Sequence, residues 1–417
     1  MDGKTVFSTF PNAILSILCF LTVVFGIAML WFAVGIARLT KKRVANHSKW
    51  PTVSVVMPAR NEAGILPWTI SSLMKQDYPG NWELIVVDDR SEDETPAVLA
   101  KLCAQYGNLR AIRVVKEPET SPKKAALAIG ISATESDIVF TTDADCQYHS
   151  GWIRSMVSYL TDDVGVVAGL TIFDLPNYKS VPVWQKVQWL DFFVQNFLAA
   201  GALGWNHAAS CNGSNLCFRR QVYDEIAGYG ESAAIVSGDD VLFAQRVASM
   251  TSWRMAFSTA TESIVRSVPV QSLSELIHQR LRWASKGLKY RGSMLVFLFL
   301  VYTYYSALIF LPLVTFYSSL PYLLGALIVA TKLLCDSITV YVGAKVFNQT
   351  RLLPYFWIYE IVHIVATPFF GFCGLLFPYN WKGDWYRTAK LPLGVSDKWL
   401  GGTVKFGKRQ KKRSLVE

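Results

Sequence analysis

Residues 13–37, AILSILCFLTVVFGIAMLWFAVGIA, contain no charged side chain. A helix needs about 20 apolar residues to cross the hydrocarbon core of a bilayer. The run therefore reads as a membrane span. It is too long for the apolar core of a signal peptide and follows no basic region, which predicts a span that is not cleaved. The basic cluster RLTKKR at 38–43 comes next, and the positive-inside rule then places the following region in the cytoplasm. Apolar segments return at 294–317, 320–347 and 353–378. Three full spans after a cytoplasmic domain would carry the basic tail to the far side, against the same rule. One segment is therefore expected to be re-entrant or interfacial. The third, broken in sequence by Pro368, Gly371 and Gly374, is the one expected to be so. The second contains Lys332 and Asp336 and the third Glu360 and His363; each pair shares a helix face, and the first is spaced to form an ion pair. Ionisable groups at membrane depth face protein or water.

The net charge of +10 follows from 41 basic and 31 acidic residues. Much of the excess flanks the apolar ends, at 38–43 and in KFGKRQKKR at 405–413. That placement points to anionic lipid. No aromatic and basic platform accompanies it, so nucleic acid is not an expected partner. The seven cysteines are scattered without a Cys-x-x-Cys pair, which predicts free thiols.

The middle of the chain, 50–290, reads differently. The runs TVSVVMP, ELIVVDD, LRAIRVV, DIVFTTD and VGVVAG are rich in Val and Ile. Helix-like stretches at 63–76, 95–106 and 123–133 separate the earlier ones. Strand and helix in alternation predict a mainly parallel sheet with helices on both faces. Such sheets bind ligands at the carboxyl ends of their strands, and acids gather there. Asp88 and Asp89 end the second strand, Asp143 and Asp145 end a later one, and Asp239 and Asp240 follow a glycine at an expected helix start. Adjacent Asp88 and Asp89 point apart; Asp143 and Asp145 share a side if the strand persists. Paired carboxylates raise one another's pKa unless a cation screens them. Hard oxygen ligands suit Mg²⁺ or Mn²⁺, which takes one or two carboxylates and substrate phosphates.

Five motifs in this order resemble the membrane-integrated branch of the family 2 glycosyltransferases, over residues 50–290. They are SVVMPARNE (54–62), VVDDRSED (86–93), PKKAAL (122–127), TTDAD (141–145), and GDD (238–240) with QRLRW (279–283). Pro122 stands where the family has Gly. The resemblance implies an α/β fold of GT-A type, an αβα nucleotide-sugar sandwich, with flanking transmembrane helices. It also implies a UDP-sugar donor and a divalent metal, Mg²⁺ or Mn²⁺. Asp89 would bond the uracil, with Pro58, Ala59 and Glu62 in the same pocket. Asp143 would contact sugar or ribose, Asp145 the metal, and Lys123 and Arg282 the diphosphate. Asp240 would be the catalytic base. A carboxylate is a weak base for an alcohol and works only when positioned. Asn212, Gly213 and Ser214 in CNGSNLCFRR (211–220), with Asp239, Gln279 and Trp283, would bind the acceptor. NWKGDWYR (380–387) resembles a Trp-Lys-Gly-Arg-x-Tyr signature of ceramide glucosyltransferase-like members, with Asp384 in place of Arg.

The expected organisation is a tail at 1–12, a span at 13–37, a basic linker at 38–49 and a cytoplasmic domain at 50–271. An amphipathic interface helix at 272–291 follows, with Leu273, Leu276, Ile277 and Leu281 at helical spacing opposite basic residues. Membrane segments at 292–378 and a final motif with a basic tail at 379–417 complete it. This predicts a multi-pass membrane protein, in the plasma membrane if the source is bacterial, that moves glucose or GlcNAc to a membrane lipid. Two alternatives stand beside it: a processive enzyme extending a growing glycan, and a non-catalytic nucleotide-binding membrane protein or transporter. The sequence specifies no oligomeric state.

Overall fold

The computed structural model describes residues 3–40, 45, 49–118, 120–173, 180–208, 210–235, 238–290, 292–318 and 322–386. Most of the basic linker and the tail from Arg387 lie outside them. Helix α1 (Gly3–Leu39) opens the chain. The parallel core follows as β1 (Val53–Ala59), α2 (Leu66–Leu73), β2 (Trp82–Asp89), α3 (Thr95–Gln105), β3 (Leu109–Val114), α4 (Pro122–Ser132) and β4 (Ile138–Thr141). The three helices fall within or near their expected spans; α2 is shorter, beginning at Leu66 with Pro67 in its first turn. Next come β5 (Cys146–Gln147), α5 (Trp152–Val157), β6 (Val164–Gly169), β7 (Thr171–Phe173), α6 (Val183–Gly204) and β8 (Leu216–Arg219). The domain closes with α7 (Arg220–Glu225), α8 (Val241–Met250), β9 (Arg254–Ser258), β10 (Val265–Ser267) and α9 (Leu273–Ala284).

The main sheet has the order β3-β2-β1-β4-β8-β6-β9. β1 pairs in parallel with β2 on one side and β4 on the other, so the strand order reverses at β1. Ligand crevices form at such switch points. β8 runs antiparallel to both β4 and β6. Alternation along the strands explains the two layers. Val55 and Met57 face one core with Leu66 and Ile70 of α2, while Val56 faces another with Leu127 and Ile131 of α4.

Helix α6 did not stand out in the sequence. Its apolar residues surround it instead of forming one stripe, and Gln185, Lys186, Gln188 and Asn196 are buried with them. The helix is wedged between the sheet and α1. Gly35 of α1 and Gly201 and Gly204 of α6 let the two backbones touch: a Cβ on Gly204 would lie 1.9 Å from the Gly35 carbonyl oxygen. Trp205 locks the contact by donating its indole N–H to the Trp31 carbonyl at 2.8 Å.

The C-terminal apolar region forms α10 (Ser293–Ile309), α11 (Leu311–Tyr317), α12 (Tyr322–Val346) and α13 (Phe356–Leu376). α1, α12 and the helical stretch ending in α13 are long and apolar enough to cross a membrane. The expected break is misplaced: it falls in the first segment, where α10 and α11 meet at 55°. Pro312 disfavours a helical turn before it. α13 runs through Pro368 without interruption. Both of its flanks nevertheless rest on the domain. Before it, Arg351 covers the Trp189 ring at 4.5 Å. After it, the hairpin of β11 (Tyr379–Trp381) and β12 (Asp384–Tyr386) reaches Arg60 and Glu62. Lys332 pairs with Asp336 as the spacing predicts, at 2.7 Å, and also with Glu360. His363 turns instead to Asp191 of α6. All seven cysteines are free thiols.

Candidate active site

Three loops meet where the strand order reverses. Pro58, Ala59 and Glu62 lie at or just past the end of β1, Asp89 ends β2, and Asp143 and Asp145 lie just beyond β4. The strand stops at Thr141 and the chain turns, yet both aspartates reach the same cavity. Asp88 points the other way, accepting the Ser91 N–H at 3.0 Å inside the protein. Across the cavity stand Asn212 and Ser214, then Asp239 and Asp240, then Gln279, Arg282 and Trp283 of α9. Every residue expected to bind donor, metal or acceptor or to act as base lines this space of about 1190 Å³ except Gly213. Gly213 contributes its backbone N–H to Asp240 Oδ2 at 3.0 Å.

Short hydrogen bonds tie the two walls together. The Thr141 hydroxyl donates to the Gly213 carbonyl at 3.1 Å and the Thr142 hydroxyl to that of Ser214 at 2.8 Å. The loop 211–215 is thereby fixed against the end of β4, and β8 begins only after it, at Leu216. Asp240 caps α8, with Oδ1 accepting the Val241 N–H at 2.7 Å. Its carboxylate is therefore held by a helix terminus and a loop amide together, the positioning that a weak base requires.

Lys123 bridges Asp143 at 2.8 Å and Asp239 at 3.0 Å. Burial alone would push Asp239 up, but the charge of Lys123 holds its carboxyl below the usual range. Asp145 forms no ion pair among the described residues, although the charge of Lys382 partly offsets its surroundings. Burial, with the charges of Asp143 and Glu62, raises it to about 6. A half-buried carboxylate facing other carboxylates is a site that a cation would relieve. Among the described residues no group of three His, Cys, Asp or Glu side chains could hold a metal. The protein can thus offer one or two carboxylates, the donor set that fits Mg²⁺ or Mn²⁺ completed by phosphate oxygens.

On the opposite wall Arg282 is half-buried, its guanidinium 5.2 Å from the Trp381 ring. Burial lowers its pKa although Asp239, Asp143 and Asp240 face it. No carboxylate pairs with it among the described residues, which leaves its donors for an anion. Trp283 stacks on Phe192 with ring centroids 5.8 Å apart. Arg280 covers its other neighbourhood at 4.7 Å and is itself held by Asp191 at 2.6 Å. Asp384, where the related signature has Arg, lies 3.1 Å from Arg60, while Lys382 pairs with Glu62. Sequence reading missed Arg60, Gln188 and Asp191. A lone acid inside an apolar helical run was the available signal for Asp191; nothing local marked the others.

The mixed α/β architecture is of GT-A type. A mannosyltransferase from Pyrobaculum calidifontis, solved with GDP-Man and Mn²⁺, matches it with a TM-score of 0.53 at 16% identity, over 86% of this chain and 99% of that one. Residues 54–227 match the model described as glycosyl transferase family 2, and the chain carries a domain of that family. A β-monoglucosyldiacylglycerol synthase of Synechocystis is 27% identical over 249 residues, 58% of this chain and 49% of that protein. A dolichyl-phosphate β-glucosyltransferase of Mus musculus is 33% identical over 100 residues, 22% of this chain and 31% of that protein. The chain thus spans about half the length of the glucosyldiacylglycerol synthases it matches.

Proposed function

We propose that this protein is a membrane-bound glycosyltransferase that moves a sugar from a UDP-sugar, glucose or GlcNAc, to a lipid acceptor with inversion at the anomeric carbon. One observation carries the reading. A single cavity joins the loops after β1, β2 and β4 to a floor built by Phe25, Met29 and Phe32 of α1 and Val301 and Tyr305 of α10. A water-soluble donor and a bilayer-held acceptor would meet in that space.

In this reading Asp89 and the β1 loop hold the nucleotide, and Arg282 faces the diphosphate. Asp145, with Asp143 nearby, would hold a divalent ion, whose chemistry is to neutralise charge on the departing diphosphate. The acceptor hydroxyl oxygen attacks the anomeric carbon from the side opposite the diphosphate. Its proton passes to Asp240, and the bond to the leaving oxygen breaks with its electron pair on UDP. Attack opposite the leaving group inverts the centre, so an α-linked donor yields a β-linked product.

The membrane arrangement belongs to the same proposal. α1, the bent pair α10–α11 and α12 cross the bilayer, and α13 lies along the interface. Support comes from the ends. Asn12 and Ser318 meet at 2.6 Å far from the sheet, whereas both flanks of α13 touch the catalytic domain. Three crossings return the basic tail to the cytoplasmic side, in accord with its charge. The test of function is UDP release and mass spectrometry of the lipid extract after incubation with UDP-glucose or UDP-GlcNAc and Mn²⁺. A one-sugar glycolipid is expected. A polymer would favour the processive alternative, and neither product nor UDP release would remove the transferase reading.

A further inference from the structure

We infer that the acceptor is an uncharged lipid alcohol and not a lipid phosphate, and that Gln188 of α6 binds it. The inference rests on the transferase reading above and narrows the acceptor, whose class differs between the names of the two relatives.

The first observation is the charge of the chamber below Trp283. Asp191, Asp336 and Glu360 line it. The cations beside them are already engaged: Arg280 with Asp191 at 2.6 Å, and Lys332 with Asp336 at 2.7 Å and with Glu360. Lys332 is 1% exposed, buried behind the two carboxylates. An anionic headgroup entering here would meet three carboxylates and no uncommitted cation among the described residues. The cations nearer the reacting centre, Arg282 and Lys286, face Asp239 and Asp240, where the donor's own diphosphate would claim them. Three carboxylates against two cations leave the chamber with a net negative charge, and like charges repel strongly in a poorly hydrated space, so the chamber selects against phosphate. Asp240 points the same way. A hydroxyl must give up a proton as it attacks the anomeric carbon and UDP departs, whereas a phosphate monoester arrives already ionised and leaves a base without work.

The second observation is Gln188. It lines the cavity, is only 3% exposed, and neither its amide nitrogen nor its amide oxygen has a hydrogen-bond partner among the described residues. Gln279, across the cavity on α9, also has an unpartnered amide oxygen. Buried polar atoms are ordinarily paired, and leaving them unpaired is destabilising. On α6 Gln188 stands one turn before Phe192, the ring that stacks on Trp283, and two turns before Asn196, which is joined through Asn212 to the loop beside Asp240. A carboxamide that both donates and accepts is suited to a hydroxyl or an ester of a neutral headgroup lying along this face.

The experiment uses the full chain in phosphatidylcholine nanodiscs with labelled UDP-glucose or UDP-GlcNAc, Mn²⁺, and either dioleoylglycerol or polyprenyl phosphate at equal mole fraction. Expected is transfer to dioleoylglycerol at least about tenfold faster than to the phosphate, a ratio that reports differential transition-state binding. Gln188→Leu keeps the volume and removes an unpaired amide. A structural role for that amide predicts lost stability; the binding role predicts an unchanged or higher Tm, unchanged UDP binding, and a KM for dioleoylglycerol raised about tenfold. Transfer to polyprenyl phosphate at an equal or greater rate overturns the inference, as does a wild-type KM in Gln188→Leu. In those cases UDP–Mn²⁺ binding and UDP release persist. Loss of both in the unaltered protein instead defeats the transferase reading, and this inference with it.

Discussion

The Asp384 carboxylate lies 3.1 Å from the Arg60 guanidinium, joining the hairpin after the last apolar helix to the loop after the first strand. The related signature has Arg at the acidic position. Here the charge is reversed and finds its complement 324 residues away. With Lys382 on Glu62 the hairpin is clasped at two points beside Asp145.

Breaking that clasp should weaken donor binding. Asp384→Arg places two guanidinium groups together and is expected to raise KM for the UDP-sugar about tenfold. The exchanged pair, Arg60→Asp with Asp384→Arg, should recover much of the loss. Initial-rate kinetics on both variants checks this, and a double variant as poor as the single one would show that the pair does not hold the hairpin.

Asp240→Asn should lower turnover by about 10²- to 10⁴-fold, the range removed with a general base. Asparagine keeps one acceptor oxygen for the Val241 or Gly213 amide and loses the other bond, so UDP–Mn²⁺ affinity by calorimetry should hardly change while stability falls by about 1–3 kcal/mol. Turnover near the wild-type rate would remove Asp240 from the role given to it.

Metal affinity should depend on pH through Asp145. Its carboxyl ionises at about 6 in the folded chain, above the usual value, because it is buried near Asp143 and Glu62. A carboxylate ligand must be ionised, so Mn²⁺ and protons compete. The sign follows: apparent affinity falls as pH drops through 6, about tenfold between pH 7 and pH 5. Without metal, the folded state holds the extra proton between about 4 and 6, so this group's contribution to stability declines as pH rises through that window. Manganese titrations followed by electron paramagnetic resonance test it, and a pH-independent affinity would exclude Asp145 as a ligand. Removal of divalent ions by a chelator should abolish transfer, and Mn²⁺ should restore it.

The contact between α1 and α6 should tolerate no side chain. Gly204→Val would drive a Cβ into the Gly35 carbonyl oxygen, now 1.9 Å from where that atom would sit. Separating two packed helices by this much is expected to cost at least about 3 kcal/mol. The loss should appear as a lower Tm in detergent and poor recovery of monodisperse protein.

Much of the site was legible because its chemistry sits at strand ends and helix starts, where local pattern is informative. Asp89, Asp143 and Asp240 could be assigned to such places before any contact was known, and the sheet then brought them to one cavity. The membrane region was read less well. α13 continues through Pro368, where a break was expected, and the bend falls instead beside Pro312. α6 escaped because a helix buried on every side has no amphipathic stripe to betray it.

The sequence by itself determined the alternation of strand and helix, the apolar ends and the set of carboxylates, since period, length and residue type are local properties. Only the tertiary structure decided who partners whom. It set Asp384 on Arg60, put Asp191 beside Arg280, brought both flanks of α13 against the domain, and left the Gln188 amide without a partner among the described residues. The reason is physical. Pairing energies depend on distance and burial, and both are created when segments far apart in the chain exclude water from between them.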